Sequence, residues 1–349
     1  MIFRSPRALA LATLLVAAAP VAAQAGDVPR TADGKPDLQG NWSNATMTPV
    51  QRPEGMGPVM TPEQVASWEG ARQSQIQEEA ADSDPDRVAP PVGGDGSTGA
   101  AGGVGGYNYF YIDAGDRVAI YDGEQRSSLV TLPDNGRIPE LTQMARDARR
   151  AEFAARQALG GEYANPENRP LAERCIMSFG SNAGPPMLPN YFYNNNYTIV
   201  QTPDHIMIMT EMVHDARIIP IRDGPGPETD QYPWFGISWA HWDGDALVIE
   251  TTNIHPDQRR SALYVFPGGS AGMKVTERLT RVDENTINYE FTVDDPDHYT
   301  GVWGGEVPFT RLPERVYEYA CHEGNYALFN ILSGARAQER AEKGNGGSN

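Results

Sequence analysis

The chain has 349 residues, with 46 acidic against 28 basic side chains and a formal net charge of −18. A field of that sign repels phosphate backbones and anionic headgroups, so nucleic acid and membrane surfaces are poor partners. The two cysteines, Cys175 and Cys321, are too few for a four-cysteine zinc site and too far apart for a Cys-x-x-Cys redox pair.

Residues 1–25 carry Arg4 and Arg7, an apolar run from Ala8 to Ala19, and Ala23-Gln24-Ala25. That order predicts a secretory signal cleaved between Ala25 and Gly26. An apolar run of about 12 residues followed by Pro20 is too short for a span, which needs about 20. The expected mature chain of 349 − 25 = 324 residues is soluble and periplasmic or secreted, with charge −18 − 2 = −20. In that oxidising compartment an even cysteine count predicts one Cys175–Cys321 disulfide.

Residues 26–106 read as a lead-in, a helix and a flexible loop. Thr61-Pro62-Glu63-Gln64 combines a capping box with proline at the first helical position, predicting a helix from about Thr61 to Glu79. From Ala80 to Gly106 the chain turns acidic and then Gly-, Ala- and Pro-rich, a composition unable to offset its ordering entropy by burial. Asp82, Asp84 and Asp86 lack the turn glycine and distal Glu of a calcium loop and read as solvated acids.

Residues 107–335 read as an antiparallel β domain with an inserted helix, and 336–349 as a polar tail. Tyr107 to Leu132 predicts two or three short strands, and Thr142 to Leu159 a helix rich in Ala and Arg that stops at Gly160-Gly161. Asn165 to Asn196 is a long loop. From Tyr197 onward, strand-like runs recur without intervening helices: 197–202, 205–213, 217–221, 237–242, 246–252, 274–282, 287–293 and 315–319. The fold class expected is mainly β with α additions, an antiparallel meander forming a barrel-like or strongly curved sheet plus two or three peripheral helices.

Turn residues predict two hairpin registers. A turn at Asp243-Gly244 pairs Trp242 with Asp245 and Trp239 with Val248; one at Glu284-Asn285 pairs Val282 with Ile287 and Arg278 with Phe291. The second register places Arg278 on an apolar face beside Tyr289, with Glu277 and Arg281 toward water.

The candidate chemistry follows from these placements. Buried beside Tyr289, Arg278 would anchor a ligand carboxylate or form an internal salt bridge. Alternation puts Ile206, Ile208, Thr210, Met212 and His214 on a core face, with Arg217 close behind. His241 shares a face with Trp239, Val248 and Glu250. In Cys321-His322-Glu323, a disulfide would hold His322 and Glu323 rigidly. His214, His322 and His241 are the candidate acid and base groups, with Glu323 orienting His322; Arg217, Arg278, Tyr289 and Trp239 are the candidate ligand contacts. With no dinucleotide fingerprint, phosphate-binding loop or Gly-x-Ser-x-Gly elbow, no cofactor is expected. The histidine spacing leaves room only for a zinc site assembled from distant strands.

Taken together, Arg30-Thr-Ala-Asp-Gly-Lys-Pro-Asp-Leu-Gln-Gly-Asn-Trp42, Asp134-Asn-Gly-Arg-Ile-Pro139, Trp242-Asp-Gly-Asp-Ala-Leu-Val-Ile-Glu-Thr251 and Tyr319-Ala-Cys-His-Glu-Gly-Asn-Tyr326 resemble a family of exported bacterial proteins of unassigned function. Gly40-Asn41-Trp42 also resembles the Gly-x-Trp that opens lipocalin-like barrels. Two functions are therefore expected. The first is a cofactor-independent periplasmic enzyme of the lyase, isomerase or hydrolase class, acting on a small organic molecule in a β-sheet cavity. The alternative is a non-catalytic, lipocalin-like binding protein for an apolar or aromatic ligand. The enzyme requires at least two of His214, His241 and His322 to converge on one cavity.

Overall fold

A computed structural model describes residues 28–79, 86, 112–212, 215–226, 228–260 and 268–345. The expected signal segment, the Gly-rich loop up to residue 106 and His214 lie outside these residues, apart from Asp86.

The turn-rich lead-in delivers Gly40-Asn-Trp-Ser to the first strand, β1 (Gly40–Ser43), and the helix α1 (Pro62–Glu79) follows. Its capping box is reciprocal: the Gln64 amide donates to Thr61 Oγ1 at 3.3 Å and the Thr61 amide donates to Gln64 Oε1 at 2.8 Å. Three short strands come next, β2 (Ile120–Tyr121), β3 (Glu124–Gln125) and β4 (Val130–Leu132). Helix α2 (Gln143–Ala158) has Thr142 as its N-cap, accepting from the Ala145 amide, and Gly160 beyond its end at φ 95°.

The remaining strands are β5 (Asn196–Gln201), β6 (His205–Thr210), β7 (Ala216–Pro220), β8 (Ile237–Asp243), β9 (Ala246–Thr252), β10 (Lys274–Arg281), β11 (Thr286–Asp294) and β12 (Trp303–Arg311), with the short helix α3 (Pro256–Arg260) between β9 and β10. Helix α4 (Ala327–Asn345) ends the described chain and makes most of the expected polar tail helical.

The sheet order β7-β6-β5-β1-β12-β11-β10-β9-β8 is antiparallel throughout, and it curls until its two end strands meet. There Ile221 forms an isolated parallel bridge with Ala240, and the Arg222 amide donates to the Ala240 carbonyl at 2.8 Å. The architecture is a nearly closed, nine-strand antiparallel barrel, as the strand spacing predicts. Near-closure brings together the two strand edges that an open meander would leave apart. β1 fills the gap between β5 and β12, so the lead-in is structurally part of the β domain.

Three sequence expectations are corrected. The last strand is β12, not 315–319. Gly304, Gly305 and Pro308 make this stretch read as loop, yet the glycines are there because a Cβ would stand 2.3 Å from the Phe291 carbonyl at Gly304 and 2.2 Å from the Leu129 carbonyl at Gly305. β12 is bulged at this pair, where β4 joins it, and Pro308 lies between the stretches bonded to β4 and β1.

In the first hairpin the turn falls on Gly244-Asp245, with Gly244 at φ 61° and the Asp245 carboxylate gripped by Arg30 at 2.6 and 3.0 Å. Trp239 therefore faces Glu250 instead of Val248, a slip of two residues that leaves each side chain on its expected face.

In the second hairpin the loop is three residues, 283–285, closed by the Val282 amide on the Thr286 carbonyl and by an Asp283 side chain accepting from the Asn285 amide. Arg278 consequently faces Glu290 and not Phe291. A one-residue slip exchanges the faces of an entire strand. Arg278 moves to the outer surface, while Glu277 and Arg281 turn inward beside Val275 and Leu279.

The inward faces form one continuous core, including Trp42, Tyr197, Ile206, Leu247, Leu279, Tyr289 and Phe309. Each such side chain contributes about 1.5–3 kcal/mol by leaving water. The long loop also reaches this core, adding Met187 and Leu188, both fully buried. Trp42 is clasped between the guanidiniums of Arg281 and Arg311, at 4.7 and 5.2 Å from its ring, and its indole donates to the Leu38 carbonyl.

Candidate functional site

The polar centre of the barrel begins at β7, where alternation points Arg217 inward between exposed Ala216 and Ile218. Opposite it, the corrected β10 register brings in Glu277. The Arg217 guanidinium donates to both Glu277 oxygens, at 3.1 and 2.5 Å, and to Thr251 Oγ1 at 3.1 Å. Tyr289 donates to Glu277 Oε1 at 2.9 Å and accepts from the Met187 amide at 2.9 Å, tying the long loop to the ion pair. Ser238 and Thr251 hydroxyls complete the set at 2.8 Å from each other.

Burial by itself would lower the Arg217 pKa, but the charge and hydrogen bonds of Glu277 outweigh it and hold the pKa above the ordinary value. Burial first, and then the Glu277 charge, push the Tyr289 hydroxyl well above the usual phenol range. The result is a buried Arg217–Glu277 ion pair braced by the Tyr289 hydroxyl. Arg217 and Tyr289, both expected as ligand contacts, are thus brought together, but their partners are Glu277 and the chain's own loop.

The other expected site residues do not join them. Trp239 and His241 stand on the outer face of β8. Arg278 lies on the outer face of β10, bonded to Asp243 at 2.8 Å with Glu290 at 3.7 Å. His322 and Glu323 are exposed after the last strand and do not hydrogen-bond each other among the described residues. The Cys175–Cys321 disulfide is present, with its Cα atoms 5.6 Å apart, and it fastens this segment to the long loop. Beside it Asn325 Nδ2 donates to the Glu173 carbonyl at 3.1 Å. Among the described residues no group of three or more His, Cys, Asp or Glu could hold a metal ion, and no helix is long and apolar enough to cross a membrane.

An open groove lies outside the barrel. With a volume of about 1130 Å³, it runs between α2 and residues 167–179 of the long loop, ending at α3, Gly269–Ala271 and Asp297-His298. On α2 and its C-cap the groove is lined by Met144, Ala148, Ala151, Ala155 and Leu159, whose steps of four, three, four and four residues keep one helical stripe in view. Met144 and Leu159 remain 58% and 63% exposed. Pro170, Leu171, Ala172 and Phe179 form the facing wall.

Each wall is anchored. Thr142 donates from its amide to the His298 carbonyl and from its hydroxyl to the Asp297 carbonyl, fixing the start of α2. Asn168 Nδ2 reaches the Gly161 carbonyl at 2.6 Å, and Arg169 is paired with Glu162 and Glu173. The disulfide secures the far end of the same wall, next to Arg174. At the third side, Asp295 is buried and accepts from both the amide and the hydroxyl of Ser270, each at 2.6 Å.

Sequence reasoning missed this groove. The helical stripe on α2 was its one legible signal, since apolar and small residues at that spacing mark a face meant for contact. The facing wall has no periodicity to read. No family model matches the chain, and no curated protein is significantly similar to it.

Proposed function

We propose that the protein is an exported, non-catalytic binding protein whose ligand, a small organic molecule with an apolar body, lies in the groove between α2 and the 167–179 wall. The observation that carries this reading is an anchored, largely apolar groove of about 1130 Å³, large enough for a drug-sized molecule. The barrel interior carries a continuous buried core made of the strands' own side chains together with Met187 and Leu188.

The binding alternative is favoured over the enzyme by where the titratable groups stand. His241 and His322 are not among the residues lining the groove, and His214 lies outside the described residues. The one histidine lining the groove is His298. A lyase, isomerase or hydrolase at this site would therefore use a group that the motif pattern did not single out.

Titration with N-phenyl-1-naphthylamine, a neutral aromatic dye that fluoresces in apolar surroundings, tests the reading. The wild type should bind it saturably, and Ala148→Trp, which places an indole in the groove from an exposed helix position, should weaken binding by about tenfold, or 1.4 kcal/mol. Equal binding by both proteins, with unchanged melting, would put the dye elsewhere and overturn the proposal.

A further inference from the structure

We infer that the ligand of this groove is an organic acid, recognised by Arg149 and Arg174 across the apolar floor; this rests on the groove being the binding site. The chain as a whole has 46 acids against 28 bases, whereas the groove is close to charge balance. Its lining carries five arginines, Arg149, Arg156, Arg169, Arg174 and Arg259, against four acids, Glu152, Glu167, Asp257 and Asp297. Arg156 and Arg169 are neutralised by their paired carboxylates, so positive charge is left to the arginines without such a partner, and apolar walls of low dielectric strengthen its pull.

The arginines divide by what they already hold. Arg156 is paired with Glu152 at 2.9 Å on the same helix, and Arg169 is buried between Glu162 and Glu173 at 2.9 and 2.8 Å. These two stiffen the walls. Arg149 and Arg174 have no carboxylate partner among the described residues; there the Arg174 guanidinium donates a long, 3.5 Å hydrogen bond to the Glu167 carbonyl. They stand on opposite walls, Arg149 on α2 and Arg174 beside the disulfide. Arg174 is half-buried, so its charge is only partly screened by water.

A guanidinium offers a planar fork that matches a carboxylate or sulfonate, and an acid taken up here would complete two charges that the fold leaves open. An apolar body would cover the Met144 and Leu159 side chains, which the structure leaves largely exposed within the same groove. The acidic surface elsewhere disfavours capture of such an anion at other places on the molecule.

The test compares two dyes on the full-length protein: N-phenyl-1-naphthylamine and 1-anilinonaphthalene-8-sulfonate, which share one aromatic skeleton and differ by the acid group. The wild type should bind the sulfonate about tenfold more tightly at low salt, and the preference should shrink as salt is raised. The double variant Arg149→Gln/Arg174→Gln should lose the preference while keeping its affinity for the neutral dye, and Arg149→Lys/Arg174→Lys should retain part of it. Equal affinity for both dyes, or a preference untouched by the glutamine variant, overturns the acid inference and leaves the groove reading standing. Failure of Ala148→Trp to weaken either dye overturns the groove reading and the inference with it.

Discussion

The Arg217 guanidinium and the Glu277 carboxylate meet inside the barrel through two hydrogen bonds although 60 residues separate them in the chain, and neither side chain is more than 4% exposed. Between them they join β7 to β10 across the interior. Removing one partner strands the other charge where water cannot reach it. Glu277→Ala should therefore destabilise the protein by about 3–5 kcal/mol, whereas Arg217→Met with Glu277→Leu should recover most of that loss. Urea denaturation of the wild type and the two variants reads the difference directly, and a mild single variant would contradict the burial of the pair.

Arg278 gives the contrasting case. Its bond to Asp243 is as short as many buried ones, but both side chains are more than a third exposed, at 38% and 64%. Solvent screening leaves such pairs about 0–1 kcal/mol, and Arg278→Ala should fall in that range. A loss near that of Glu277→Ala would instead place Arg278 inside, in the register where it faces Phe291.

The disulfide closes a loop with a sequence separation of 146 residues. Loop-closure entropy for that span gives about 5 kcal/mol, a figure that residual structure in the reduced chain would diminish. Cys175→Ser/Cys321→Ser, or the reduced wild type, should unfold at clearly lower denaturant concentration. An unchanged midpoint would show that the long loop and the C-terminal segment stay together without the bond.

Gly305 faces the Leu129 carbonyl so closely that a methyl group there would sit 2.2 Å from the oxygen. Gly305→Ala must push β4 away from β12 and should cost about 1–3 kcal/mol. A stability measurement showing no loss would mean that β4 is not packed against this strand.

Glu306, on the outer face under the β2–β3 hairpin, has its pKa raised by burial, with Arg126 opposing the shift and Glu290 and Asp122 adding to it. A raised carboxyl pKa means that the folded protein holds this proton at pH values where the unfolded chain has released it. Its contribution to stability therefore falls as pH rises from the ordinary glutamate range through the raised value. Glu306→Gln should flatten that slope in denaturation curves taken across the window, and an unaltered slope would assign the effect to other groups.

Much of the β architecture was legible because its signals are local. Alternation in His205–Thr210 correctly turned Ile206 and Ile208 inward, the capping box at Thr61 marked the start of α1, and the cysteine count led to the disulfide. The strand that escaped, β12, carries glycines required by a close approach of β4 and β11 that no local pattern reveals. Arg278 and Glu277 were exchanged between faces because a three-residue loop was read as a two-residue turn. The error is one residue in register and the whole width of the sheet in consequence.

The candidate site was less legible still. Its α2 stripe is periodic, but the opposite wall is an irregular loop positioned by Arg169, Asn168 and a covalent bond to Cys321, partners that lie elsewhere in the chain.

By itself the sequence determined the mainly antiparallel β character, most of the strands and both long internal helices, because alternation, capping and turn chemistry act over a few residues. Which charges are sealed inside the barrel, and where a surface is left open, was decided only by tertiary structure. Burial depends on what another part of the chain brings up against a residue, and that partner is set by register and closure, not by neighbours in sequence.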